Sequence, residues 1–143
     1  ATVSEEKEHA EHEVIPSLPD GLRVLLAEDN DINAEIVMDM LKSSNIKCIR
    51  TKNGQDAVKA EKRHDFDVIL MDCQMPIMDG HTASKLIRSE GRNKDTVRII
   101  ALTANAFIED KNACLEAGMN AHLSKPIRKQ VLFDCIAREL ARV

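Results

Sequence analysis

The chain has 143 residues, of which 43% are hydrophobic and 31% charged, a balance that suits one globular domain with its own core. No apolar run approaches the roughly 20 residues of a membrane helix, and the opening lacks a basic, apolar-cored leader pattern. The net charge is −4, but residues 1–20 hold six acids against one base, leaving the remainder at +1. With scattered bases, three Phe and no Tyr or Trp, neither a nucleic-acid surface nor a stacking platform is expected.

Residues 1–20 read as an acidic, flexible linker that closes on Pro16, Pro19 and Asp20. The polar start at Ala1 suggests a piece of a longer protein. His9 and His12 share a helical spacing there, but two imidazoles in a mobile tail make a poor metal site without further ligands.

From residue 21 to 143 the pattern alternates between short apolar runs and helical ones. Val24 to Ala27 is a first strand. Ile32, Ile36, Val37, Met40 and Leu41 trace a helix face, with Asn30 or Asp31 as cap. Lys47 to Thr51 is a second strand; Asn53-Gly54 reads as a turn, and Ala57, Val58 and Ala60 mark a second helix. Val68 to Met71 is a third strand. A helix follows Gly80, with Ala83, Leu86 and Ile87 inward. Val97 to Leu102 is a fourth strand. Phe107 to Ala117 is a helix that stops at Gly118. Ala121 to Ser124 is a short fifth strand, and Val131, Leu132, Cys135, Ile136 and Leu140 line a last helix.

Five strands alternating with five helices predict an α/β fold, a doubly wound parallel sheet covered on both faces. Ligands of such sheets bind beyond the carboxyl ends of the strands. There the sequence places Glu28 and Asp29 after the first strand and Asp72 at the end of the third. Thr103 and Ala104 follow the fourth, and Lys125 follows the fifth. Two carboxylates about 4 Å apart repel by about 4 kcal/mol at an effective dielectric of 20. One lysine offsets part of that, and a hard divalent cation offsets more. Carboxylates, a hydroxyl and an ammonium on one edge therefore point to a Mg²⁺-dependent phosphoryl site.

Competing motifs fail on their spacing. There is no GxxxxGK[ST] loop and no GxGxxG after the first strand. Asp29, Asp31 and Asn33 imitate an EF-hand loop, but Ala34 and Met40 stand where Gly and Glu are required. A phosphatase with a DxD pair is excluded by Gln74, two residues after Asp72. The four cysteines, Cys48, Cys73, Cys114 and Cys135, contain no CxxC pair and read as buried reduced thiols of a cytoplasmic protein.

AEDN at 27–30, MDCQMPIMDG at 71–80, ALTA at 101–104 and LSKP at 123–126 together resemble the receiver domain of two-component response regulators. The resemblance runs from about Leu22 to Leu140 and is most like the receivers of hybrid sensor histidine kinases. It implies a five-stranded flavodoxin-like (βα)5 sheet in the order 2-1-3-4-5. It also implies that Asp72 accepts a phosphoryl group from the phosphohistidine of a kinase or of a histidine phosphotransfer domain.

By the same resemblance, Asp29, Asp72 and the carbonyl of Gln74 hold Mg²⁺, with Glu28 acting through water. Lys125, Thr103 and the Ala104 N–H bind phosphoryl oxygens. Gln74 and Asn105 tune attack by water, and a cis peptide precedes Pro126. The domain would then catalyse its own phosphorylation and dephosphorylation. Where many receivers carry an aromatic switch residue this chain has His122, either a half-buried strand histidine or a gate in place of the ring. A stand-alone regulator and a receiver that binds partners without phosphorylation are the alternatives.

Overall fold

The computed structural model describes residues 14–93, 96–104 and 108–142, side chains within 108–110 excepted. Five strands and five helices alternate along it. They are β1 (Arg23–Ala27), α1 (Asp31–Lys42), β2 (Lys47–Thr51), α2 (Gly54–Arg63), β3 (Val68–Asp72), α3 (Gly80–Ser89), β4 (Arg98–Thr103), α4 (Ile108–Glu116), β5 (Ala121–Ser124) and α5 (Lys129–Ala141). The strands form one parallel sheet in the order β2-β1-β3-β4-β5, as the resemblance implies.

Successive strand residues point to opposite faces, so the sheet divides the core in two. Val24, Leu26, Leu70 and Ile100 pack with Val37 and Leu41 of α1 and Phe133 and Ile136 of α5. Leu25, Ile69, Met71 and Ile99 pack with Ala57 of α2, Ala83 and Ile87 of α3, and Cys114 of α4. Burying one leucine-sized side chain contributes about 1.5–3 kcal/mol. The central strand β3 is buried along its whole length, so its end is fixed from both sides.

Three of the helices start where a short polar side chain takes over orphan N–H groups. Asn30 Oδ1 accepts from Asn33 N at 2.9 Å and Asp79 Oδ1 from Thr82 N at 2.8 Å. Asn53 Oδ1 accepts from Asp56 N at 2.8 Å, so the Asn53-Gly54 pair is a helix cap rather than a free turn. Glycine is required at 54 because a Cβ would lie 2.4 Å from Met78 O. Gly118, at φ +91°, ends α4 as its sequence position predicts.

The helix stripes are narrower than the apolar residues suggest. Ile32 and Ile36 of α1, Leu86 of α3 and Val131 of α5 are exposed. A helix lying on a sheet buries a single face, which here is filled by Ala34, Val37 and Leu41 in α1. At the amino-terminal side, Ile15 and Leu18 pack against the α1–α5 core, and Gln130 Nε2 donates to Val14 O at 3.1 Å. The chain thus joins the domain before residue 21. His9 and His12 lie outside the described residues.

Candidate active site

The register aligns the strand ends, pairing Ala27 with Met71, Asp72 with Leu102 and Thr103 with Ser124. The residues that leave the strands therefore meet on one edge. A cleft of about 680 Å³ opens there, and Glu28, Asp29, Asp72, Gln74, Thr103, Ala104 and Lys125 all contribute to its wall. These are the residues singled out from the sequence, drawn from four strand ends and the loops after them.

Glu28 and Asp72 are buried, at 1% and 4% exposure, whereas Asp29 is open to solvent. Lys125 Nζ lies 2.8 Å from Glu28 Oε1 and 3.2 Å from Asp72 Oδ2, bridging the two acids. Asp72 Oδ1 accepts from the Gln74 N–H at 3.2 Å, and Glu28 Oε2 from the Asn30 N–H at 3.2 Å. The Lys125 N–H donates to Thr103 O at 2.7 Å, joining the ends of β4 and β5. The Lys125–Pro126 peptide is cis, as the resemblance implies.

Two buried carboxylates share one ammonium, and their proton affinities separate. Burial, followed by the neighbouring Glu28 carboxylate, pushes Asp72 up to about 7. Burial opposes the charge on Glu28 too, but hydrogen bonding from the protonated form of Asp72, from Lys125 and from the Asn30 N–H outweighs it and holds Glu28 below its ordinary value. Lys125 is held above its ordinary value because the two acids outweigh its own burial.

The cluster is short of positive charge. Carboxylate oxygens of Glu28, Asp29 and Asp72 lie within 4.8 Å of one another. A donor set made only of oxygens, facing an open cleft, fits a hard divalent cation of the Mg²⁺ type.

The backbone around the cleft is tightly fixed. The Gly80 N–H donates to Cys73 O at 3.1 Å, and a Cβ on Gly80 would fall 2.2 Å from Asp72 O. The β3–α3 loop passes through Ile77 at φ +70°, a conformation β-branched residues rarely adopt. No motif or spacing marks Arg50, whose guanidinium donates twice to Glu28 O, at 3.0 and 2.7 Å, and pairs with Asp31 at 2.8 Å. It pins the turn that carries Glu28 and Asp29. His122 is half-buried on β5 and does not line the cleft. It contributes instead to a separate hollow with Leu123, Ser124, Pro126 and Val131. Asn105 lies outside the described residues.

A parallel sheet whose carboxyl edge carries two buried acids, a bridging lysine and a threonine around an open cleft defines a class of phosphoryl-handling α/β domains. Residues 24–137 match the family model of the response regulator receiver domain, and the chain belongs to that family. It is 44% identical over 119 residues to hybrid signal transduction histidine kinase M of Dictyostelium discoideum, covering 80% of this chain and 5% of that protein. It is 36% identical over 124 residues to the sensor histidine kinase RcsC of Salmonella typhimurium, covering 87% of this chain and 13% of that protein.

The chain therefore spans only a small part of these relatives. Among solved structures, it matches the receiver domain of a sensor histidine kinase from Pseudomonas aeruginosa PAO1, which has a magnesium ion coordinated in its active-site cleft. That match has 38% identity and a TM-score of 0.77, and covers 84% of this chain and 98% of that one. Among the described residues, no helix is long and apolar enough to cross a membrane.

Proposed function

We propose that this receiver domain of two-component signalling takes a phosphoryl group from a phosphohistidine onto Asp72. The observation that carries the reading is the placement of Asp72. It is the last residue of a fully buried strand, with one carboxylate oxygen on Lys125 and the other held by the Gln74 N–H, at the wall of an open cleft. A short side chain fixed in this way is a positioned nucleophile.

In the transfer, an Asp72 oxygen attacks phosphorus, the phosphorus–nitrogen bond of the donor imidazole breaks, and the imidazole leaves as the neutral base or takes a proton. Lys125 then follows a phosphoryl oxygen, releasing its hold on the carboxylate. The Thr103 hydroxyl and the Ala104 N–H take the remaining oxygens. Asp29, Asp72 and the Gln74 carbonyl would hold Mg²⁺, with Glu28 behind a water. The cation supplies the charge neutralisation that a crowded phosphoryl group needs. The two acids that repel each other without it are the support for that assignment.

The donor is a kinase or a histidine phosphotransfer domain. A solved relative at 34% identity and TM-score 0.77, covering 87% of this chain and 89% of that one, is the receiver domain of Ssk1 from Saccharomyces cerevisiae in complex with the phosphotransfer protein Ypd1. The similarity to hybrid kinases supports an origin in the cytoplasmic receiver segment of such a protein. Beryllofluoride with Mg²⁺ tests the reading. Amide resonances of Thr103, Ala104 and Lys125 shift in the wild type and stay in place in Asp72→Asn. Equal shifts in both proteins would leave only a binding scaffold.

A further inference from the structure

Beside the cleft, three side chains from three separate segments meet on the α2–α4 face of the sheet. They are Cys73, immediately after β3, His81 in the first turn of α3, and Cys114 of α4. Cys73 and Cys114 are buried and His81 half-buried. Cys73 Sγ and Cys114 Sγ are 3.8 Å apart, Cys114 Sγ and His81 Nε2 are 3.6 Å apart, and all three ligand atoms lie within 4.8 Å of one another. We propose that Cys73, His81 and Cys114 form a binding site for a thiophilic metal ion of the Zn²⁺ type, separate from the oxygen site at Asp72.

The distances are those of a shared ion. Two thiolates about 2.3 Å from one tetrahedral zinc lie about 3.8 Å from each other, and a thiolate and an imidazole nitrogen on the same ion lie about 3.6 Å apart. The two shorter edges of the triangle already have those lengths. The third edge is no longer than 4.8 Å, and a turn of the half-buried His81 ring would shorten it. A disulfide instead requires the sulfurs to approach to about 2.05 Å.

The ligands are also held from behind. Cys73 N donates to Leu102 O at 3.0 Å, Gly80 N to Cys73 O at 3.1 Å, and Met119 N to Cys114 O at 3.0 Å. These bonds fix β3 to β4, α3 to β3, and the end of α4 to the turn after it. Cys73 and His81 both line the cleft, so a fourth position on the ion would open toward it. Three protein ligands and one open position describe an exchangeable site rather than a closed structural one.

Softness keeps the two sites distinct. Two sulfurs and an imidazole select a zinc-like ion, whereas the carboxylates of Glu28, Asp29 and Asp72 select magnesium. On binding, both thiols lose their protons to solvent and the imidazole coordinates as the neutral base. The ion then fastens α4 to the residue beside Asp72. The site does not depend on phosphoryl chemistry at Asp72.

Cobalt(II) is the probe. The reduced full chain, in saturating Mg²⁺, is titrated with Co²⁺ and then with Zn²⁺. The expected result is a sulfur-to-cobalt charge-transfer band that saturates at one equivalent and is bleached by Zn²⁺. Cys114→Ala and His81→Ala each weaken binding by about tenfold or more, while Asp72→Asn keeps the band. His81 is half-buried, so its variant remains informative if loss of Cys114 disturbs the core. The proposal is overturned if the wild type gives no charge-transfer band, or if the band persists undiminished in either ligand variant. Loss of two thiols per chain to a Cys73–Cys114 disulfide, with no metal taken up, overturns it as well.

Discussion

At the amino-terminal edge of the sheet, Arg88 reaches from α3 and donates to four backbone carbonyls and one amide oxygen. Its acceptors are Gly118 O at 2.8 Å, Arg92 O at 3.2 Å, Asn93 O at 2.9 Å, Val97 O at 2.8 Å and Asn120 Oδ1 at 2.8 Å. At the carboxyl edge, Glu28 and Asp72 share Lys125. The first edge surrounds a cation with oriented dipoles on all three guanidinium nitrogens. The second leaves two anions on one cation beside an open cleft. Burial lowers Arg88 to about 10, with Glu61 opposing, and raises Asp72 to about 7. The same cost of burying charge is thus met by hydrogen-bond acceptors at one edge and left partly unmet at the other.

Truncating Arg88 should disturb this contrast most. Arg88→Ala leaves carbonyls before β4 and β5 without their donor, and is expected to lose about 3 kcal/mol or more in urea unfolding. A loss within the range of an ordinary surface change would show that water replaces the guanidinium, and the two edges would then be alike.

At the other edge the sign reverses. With metal chelated and pH mildly alkaline, Asp72→Asn removes one of two buried like charges and is expected to gain about 1–3 kcal/mol. Excess Mg²⁺ should narrow the difference by stabilising only the wild type. If the variant is less stable under chelation, the carboxyl edge is a satisfied network and not a strained one.

Asp79 repeats the contrast at smaller scale, because it is an exposed acid with its partner in place. Hydrogen bonding from the Thr82 N–H holds its carboxyl below the ordinary aspartate range. Its folded value is depressed, so its contribution is complete above the unfolded value and disappears as pH falls through the folded one. Asp79→Ala should cost about 1 kcal/mol at neutral pH and little in strong acid, read from the pH dependence of the unfolding midpoint.

The parts of this molecule that are legible in the sequence are those written locally. Apolar runs such as Val68 to Met71 bracket a buried strand, and a parallel sheet makes the residue after each run a site candidate. Asp72, Thr103 and Lys125 follow from that rule, and the family motifs add Gln74 and Ala104. Two strands run one residue further than their apolar runs because a polar side chain at the end is itself buried, Asp72 closing β3 and Thr103 closing β4.

The hidden parts are non-local. Arg88 finds acceptors on both sides of β4 and beyond α4, and Cys73, His81 and Cys114 are brought together only by the crossovers, with no spacing to mark them. Asn53 before Gly54 reads as a turn because the same side chain caps a helix or turns a chain, and only the contact with Met78 O decides between them. Ile32 and Ile36 read as inward because periodicity reports apolar positions without the width of the face that a sheet covers.

If the strained carboxyl edge exists to present Asp72 to phosphorus, a small phosphodonor should suffice to label it. Intact-mass spectrometry of the full chain after incubation with acetyl phosphate and Mg²⁺ reads the outcome. One added phosphoryl group is expected in the wild type, none when Mg²⁺ is chelated, and none in Asp72→Asn. Equal labelling of wild type and Asp72→Asn would place the phosphoryl group elsewhere and refute the role given to Asp72.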